Sequence, residues 1–405
     1  MVDVKDDVPR VGLVLSGGGA RGAYEVGVLR YIREQIKRPC PFHVITGSSV
    51  GAINGSYVAA TLDRPRAQIR PLARVWSELD LDQMYRFGWS QVRHLPQVLF
   101  GRHLPKDGRV ETIGGLVDSS YIEDFVRLRI PWKGLRDNIE QGHLHAMACS
   151  ATELATGKTT VFVQAREGAV PPWPAEPGGE AVPTVITPAH TLASAAIPVL
   201  FPAVRVAERY YVDGSLRQNT PVRPAMRLGA NRLLVIGLRH ENAQTLAQQR
   251  AREKARTIFP NAVFMGGKLL DALMLDKLEA DLRRIERLNE IIAAGQDLYG
   301  TDFGARIGDA IPGRHGRAYV PMEVLLIRPS QNLGEVAHDV IRRSNLSRYS
   351  GVMARWIRRS MLGDEMPEND LASYVLFDPD YTKALMHLGY HDAQAQHARI
   401  AALFG

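Results

Sequence analysis

Val11-Gly12-Leu13-Val14-Leu15-Ser16-Gly17-Gly18-Gly19-Ala20-Arg21-Gly22 and Phe42-His43-Val44-Ile45-Thr46-Gly47-Ser48-Ser49-Val50-Gly51 are the two stretches on which the fold turns. Each is a short apolar run that ends in a glycine-rich turn and passes into a helical pattern. After the first, Val26, Leu29, Ile32 and Ile36 share one helix face until Pro39 and Pro41 stop it. After the second, Ala52, Ile53, Gly55, Val58 and Ala59 make a helix of small residues. Repeated strand–turn–helix units predict an α/β domain with a mostly parallel sheet and helices on its faces.

Further apolar runs of strand length lie at 145–152, 159–163, 210–212, 232–238 and 324–327. The stretch 167–182, with Pro171, Pro172, Pro174 and Pro177, reads as a loop. Leu275, Leu278, Leu282, Ile285, Leu288 and Ile292 recur at steps of three and four, which predicts a long amphipathic helix for packing or partner contact. Beyond residue 333 the pattern is helical. The division expected is a core over 8–240, its sheet completed by a strand near 319–330, a helical insertion over 241–318, and a helical carboxy-terminal extension over 331–405.

The 405 residues are 45% apolar and 23% charged, which excludes disordered, collagen-like and coiled-coil classes. No repeat of solenoid or propeller length is present. Fifty Lys and Arg against 43 Asp and Glu leave a net charge of +7, compatible with an anionic partner. Two cysteines, Cys40 and Cys149, make neither a disulfide framework nor a closed metal site, and a reducing compartment is expected. The start is charged and lacks the apolar core of a secretory signal. The uncharged stretch 181–204 carries Pro183, Pro188, Pro198 and Pro202, which would break a membrane-spanning helix. A cytoplasmic chain, at most peripheral on a membrane, is the expectation.

Gly17, Gly19 and Gly22 match the spacing of a dinucleotide loop, but the acidic residue needed near the end of the second strand is replaced by Ile45-Thr46-Gly47-Ser48. Consecutive glycine amides at a helix start serve another purpose, holding a phosphate or the oxyanion of a tetrahedral intermediate. Gly47-x-Ser49-x-Gly51 between strand and helix favours the second use. It is the context of a nucleophile elbow, whose sharp turn requires small flanking residues and leaves the serine exposed at the strand end.

A serine needs a base. Among twelve histidines, His240 and His315 follow Asp213 in the order Ser, Asp, His, yet neither sits in a recognisable loop. His143 and His145 lack further metal ligands nearby. Asp213, in Tyr-Val-Asp-Gly-Ser, ends an apolar run before a turn glycine, so it reads either as a base at the sheet edge that carries Ser49 or as a turn-forming Asp.

The Ser16–Gly22 loop, the Gly47–Gly51 elbow, the segment Ala193-Ser194-Ala195-Ala196-Ile197-Pro198 leading to Phe201-Pro202, and Asp213-Gly214 resemble, in order, the four signature blocks of patatin-like phospholipases. The resemblance covers residues 11 to about 220. It implies a three-layer α/β/α core with helical additions, and hydrolysis of lipid acyl esters by a Ser–Asp dyad through an acyl-serine, without cofactor or metal. Ser49 would then be the nucleophile and Asp213 the base. The amides of Gly17, Gly18 and Gly19 would form the oxyanion hole, with Arg21, Gly47, Gly51 and Gly214 in support. Ser215 departs from the Gly or Ala common there, with little consequence expected. A serine acyltransferase of the same fold and a non-catalytic lipid-binding protein are the alternatives. Arg342, Arg343, Arg348, Arg355, Arg358 and Arg359, interleaved with Met353, Trp356 and Ile357, suit an anionic bilayer or a solvated basic face. Residues 84–105 suit a lid over the serine or plain packing. No nucleic-acid motif is present.

Overall fold

The computed structural model describes residues 10–36, 41–64, 68–85, 112–113, 117–166, 170, 173, 179–198, 200–240, 278–311, 318–343 and 370–405. Among these residues ten strands form one sheet: β1 (Val11–Leu15), β2 (Val44–Ser48), β3 (Thr112–Ile113), β4 (Ala146–Glu153), β5 (Thr159–Ala165), β6 (Gly179–Pro183), β7 (Ala203–Val206), β8 (Arg209–Asp213), β9 (Arg232–Ile236) and β10 (Glu323–Ile327). The run β10-β9-β1-β2-β4 is parallel throughout, as the strand–helix alternation requires. Antiparallel neighbours β8, β7 and β3 extend it, and β5 and β6 branch from β4.

Alternate side chains of each central strand serve opposite faces. Leu13, Leu15, Leu234 and Ile236 join one apolar cluster, whereas Val14, Leu233 and Val235 join the other. The first cluster is covered by helices Ala23–Gln35, Val50–Ala60, Ile69–Glu78 and Pro379–Ala395, the second by Val222–Arg227 and Leu278–Tyr299. The result is the three-layer α/β/α arrangement. On the second face, Leu278, Ile285 and Ile292 are the apolar residues that the long helix buries, and Arg223 ties it down through Asp281 at 2.9 Å. Residues 275–277 of the anticipated helix lie outside the described residues.

Helix Pro379–Ala395 lies directly on Ala23–Gln35, and glycines permit the approach. A Cβ on Gly27 would stand 2.0 Å from the Met386 carbonyl oxygen, and one on Gly389 would stand 2.2 Å from that of Tyr24. Gly389→Ala must therefore push two helix backbones apart, and a loss of about 1–3 kcal/mol is expected in chemical denaturation. An unchanged midpoint would show that the contact yields freely.

One local reading differs from expectation. Part of the supposed loop 167–182 is strand, since Gly179–Pro183 runs parallel to β5. The proline is tolerated because, among the described residues, β6 pairs on one side only. Most of the supposed lid, residues 86–105, lies outside the described residues, as do Cys40, His315, Arg348, Arg355, Arg358 and Arg359. Arg342 and Arg343 are exposed at the end of helix Leu333–Arg343. Cys149 is buried, and that burial pushes its thiol up to about 12. Among the described residues no helix is long and apolar enough to cross a membrane.

Candidate active site

Parallel pairing of β1 and β2 sets Leu15 beside Gly47, so the glycine loop and the elbow emerge side by side at one rim of the sheet. At the elbow Ser49 adopts φ 52° and ψ −126°, left-handed backbone that costs a non-glycine residue about 1–3 kcal/mol. Its neighbours explain the flanking glycines. A Cβ on Gly47 would lie 2.3 Å from the Gly51 carbonyl oxygen, and one on Gly51 would lie 2.5 Å from that of Leu15. Helix Val50–Ala60 starts immediately beneath the serine, and all eleven of its residues are buried.

The strained turn is held from outside. The Ser49 amide donates to Ser194 Oγ at 3.0 Å, and that hydroxyl donates to the Ser150 carbonyl at 2.6 Å. Ser194 belongs to the third sequence block, but its function as a brace was not visible there, because it depends on a contact 145 positions away.

Strand β4 overhangs β2 by three residues, and β8 pairs with that overhang, Asp213 facing Ala151. Asp213 therefore reaches the rim at the end of an antiparallel strand that runs in from beyond the sheet, rather than a parallel one running out. The Ser49 hydroxyl donates to Asp213 Oδ2 at 2.6 Å. Asp213 Oδ1 accepts the Ser215 amide at 2.7 Å, and the Asp213 amide donates to the Ala196 carbonyl at 2.9 Å. The carboxyl is fully buried, and burial pushes its pKa up to about 6, against the hydrogen bonds from Ser49 and Ser215 that pull it down. A Cβ on Gly214 would meet the Ser150 carbonyl oxygen at 2.0 Å, which accounts for the glycine after the aspartate.

Among the described residues no histidine hydrogen-bonds Ser49. His240 Nδ1 is 2.9 Å from the Pro329 carbonyl and His143 Nδ1 is 3.3 Å from Asn138 Oδ1. In the glycine loop the Gly17 amide donates to the Asn219 carbonyl at 3.0 Å. That amide is spoken for, which the loop sequence did not disclose. Ser215 Oγ occupies the space where a Gly17 side chain would stand, a Cβ there falling 1.9 Å from it. Gly19, at φ 57°, borders the same cavity as Ser49.

That cavity, about 540 Å³ when the solvent space at its mouth is included, is lined by apolar side chains apart from Ser49 and Tyr121. Ile53, Trp76, Phe125, Ile197 and Phe201 contribute to it. Trp76 is fixed by a bond from its indole N–H to Asn54 Oδ1 at 3.0 Å. Asn54 Nδ2 in turn donates to Glu25 Oε2 at 2.9 Å. Glu25 is buried, and burial pushes its carboxyl up to about 8. Neither Glu25 nor Trp76 stood out in the sequence. Arg21, only 5% exposed, turns away from the cavity: its Nε and an Nη donate to Ser373 Oγ at 2.8 and 2.6 Å, and its guanidinium lies 3.8 Å from the Tyr374 ring centre.

The sequence profile described as Patatin-like phospholipase matches residues 13–226. A patatin-like phospholipase domain-containing protein of Caenorhabditis elegans is 40% identical over 81 residues, 18% of this chain and 6% of that protein. Lysophospholipase nte1 of Aspergillus terreus is 47% identical over 53 residues, 13% of this chain and 3% of that one. The chain thus aligns with only a small fraction of the length of these curated relatives. Among solved structures, human GIVD cytosolic phospholipase A2 in complex with methyl gamma-linolenyl fluorophosphonate has a TM-score of 0.41 at 13% identity, covering 98% of this chain and 59% of that one. VipD from Legionella pneumophila has a TM-score of 0.34 at 14% identity, covering 95% and 92%.

Proposed function

The chain belongs to the patatin-like phospholipase family, and from that premise we propose that it hydrolyses the acyl esters of lipids with Ser49 as nucleophile and Asp213 as its base. The observation that carries this reading is the 2.6 Å bond from the Ser49 hydroxyl to Asp213 Oδ2 beside an apolar cavity. An acyl chain buried in that cavity leaves water, which favours lipid over polar esters.

As Ser49 Oγ attacks the acyl carbonyl, its proton passes to Asp213 Oδ2. Negative charge then builds on the carbonyl oxygen. With the Gly17 amide engaged by Asn219, the amides of Gly18 and Gly19 are assigned to receive it, each donor of this kind contributing about 3 kcal/mol. Collapse breaks the bond to the alcohol, which takes the proton from Asp213 and leaves acyl-Ser49. Water attacks that ester, gives its proton to Asp213, and releases the fatty acid, after which the serine is protonated again. No step requires a cofactor. Lipid bound at the bilayer surface is the substrate form expected, with the arginines of 342–359 as an unassigned basic reserve.

Fatty-acid release from phosphatidylcholine and phosphatidylglycerol vesicles tests the proposal. Asp213 must be deprotonated to accept the proton, so kcat/KM should fall about tenfold per pH unit below a midpoint near 6, the pKa to which burial pushes this carboxyl. An acid limb near pH 4 would mean that Asp213 is not the group titrating. Vesicles left intact while an attacking serine is detected by a fluorophosphonate would shift the reading to another acyl acceptor.

A further inference from the structure

The family match ends at residue 226, yet one wall of the cavity beside Ser49 comes from far beyond it. Phe377 lines the cavity together with Gly19 and Ser49. It stacks on Trp76 with ring centres 6.3 Å apart and planes 24° apart, and tilts against Tyr85 at 6.1 Å. Tyr85 stacks in turn on Phe201 at 6.3 Å. These four rings form a continuous aromatic wall, and three of them face the cavity. Phe377 is the only member that the carboxy-terminal segment supplies.

The same short segment is anchored to the glycine loop. Ser373, fully buried, accepts two hydrogen bonds from Arg21, and Tyr374 carries the arginine on its ring. The Tyr374 carbonyl oxygen lies where a Gly19 side chain would begin, 2.2 Å from a Cβ at that position. On the other side Asp378 caps helix Pro379–Ala395 by accepting the Asp380 and Tyr381 amides at 2.8 and 3.2 Å. Thr382 Oγ1 donates to the Trp76 carbonyl at 2.8 Å. Phe377 thus sits between two fixed points, which gives its ring one position instead of a mobile range.

We propose that Ser373–Phe377 is a working part of the acyl site, with Phe377 setting the length of acyl chain accepted and the Arg21–Ser373–Tyr374 contact holding that wall in register with the glycine loop. The inference rests on the hydrolase reading above. A rigid aromatic wall discriminates chain length because a chain too long must displace packed rings, while one too short leaves a void. Truncating the ring opens room for more methylenes, and enlarging it removes room.

The test measures kcat/KM on a series of 4-nitrophenyl esters of increasing acyl length for wild type, Phe377→Ala and Phe377→Trp. In Phe377→Ala the ratio of long-chain to short-chain kcat/KM should rise by about tenfold or more, and in Phe377→Trp it should fall, since one methylene in an apolar pocket is worth about 10-fold or more. Opposite shifts in the two variants cannot come from instability, which lowers the rate on every ester alike. Identical chain-length profiles, or uniform loss in both variants, would overturn the inference. Wild-type protein that neither reacts with a fluorophosphonate nor cleaves any ester would instead bring down the hydrolase reading, and this inference with it.

Discussion

Ser49→Ala is expected to reduce lipid-ester hydrolysis by about 10⁴-fold or more, to whatever the cavity and the amides of the glycine loop achieve with water alone. The substitution deletes one oxygen, and with it the bond to Asp213. Alanine can occupy the same left-handed backbone at much the same cost as serine, and its amide can still reach Ser194. The elbow therefore stays formed, and only the attacking atom is gone. Asp213 loses a hydrogen bond that lowers its pKa, so its carboxyl should titrate still higher. Two measurements check this: kcat/KM on phospholipid vesicles, and covalent labelling by a fluorophosphonate with the modified peptide located. A variant that keeps more than about a hundredth of the wild-type rate, or labels at another residue, would remove Ser49 from the chemistry.

Asp213→Asn should cost about 10³-fold in kcat with KM nearly unchanged. The amide has the shape of the carboxyl, and its oxygen can still accept the Ser215 amide. Facing Ser49, however, an NH2 group can only donate, so the serine proton has no acceptor. Stability should move the other way. The buried carboxyl has its pKa pushed up from 3.8 to about 6, so its charged form is disfavoured in the folded protein relative to the unfolded chain. Above pH 6 that penalty is present in full, and it disappears as pH falls through the pKa values. At pH 7 the uncharged amide avoids it, and the melting temperature of Asp213→Asn should equal or exceed that of wild type. The acid limb near pH 6 should vanish from the residual activity. A variant with wild-type kcat, or one whose rate loss tracks a fall in melting temperature, would sink the assignment of Asp213 as base.

These two residues were legible in the sequence to different degrees. Ser49 follows from local demands, because the left-handed turn and the close approaches at Gly47 and Gly51 leave glycines in fixed positions around it. Asp213 stood open as turn former or base until the resemblance to patatin-like phospholipases favoured the second. Its placement by an antiparallel strand that pairs with the overhang of β4 has no signature in the residues of β8. The Gly17 amide shows the opposite limit, since a glycine-rich loop announces available N–H groups without saying which one the Asn219 carbonyl takes.

By itself, the sequence determined the alternation of strands and helices, the two glycine-rich turns, and the serine between the glycines of the second. All of these follow from the conformational needs of residues only a few positions apart. Tertiary structure alone decided that Ser194 braces the elbow from 145 positions away, that Asp213 meets Ser49 across 164, and that Arg21 grips Ser373 across 352. Contacts over such separations depend on how whole layers pack, and a serine or phenylalanine that makes one is spelled no differently from one that does not. For this reason the carboxy-terminal wall at Phe377, which lines the cavity beside Ser49, was the feature least visible in the chain.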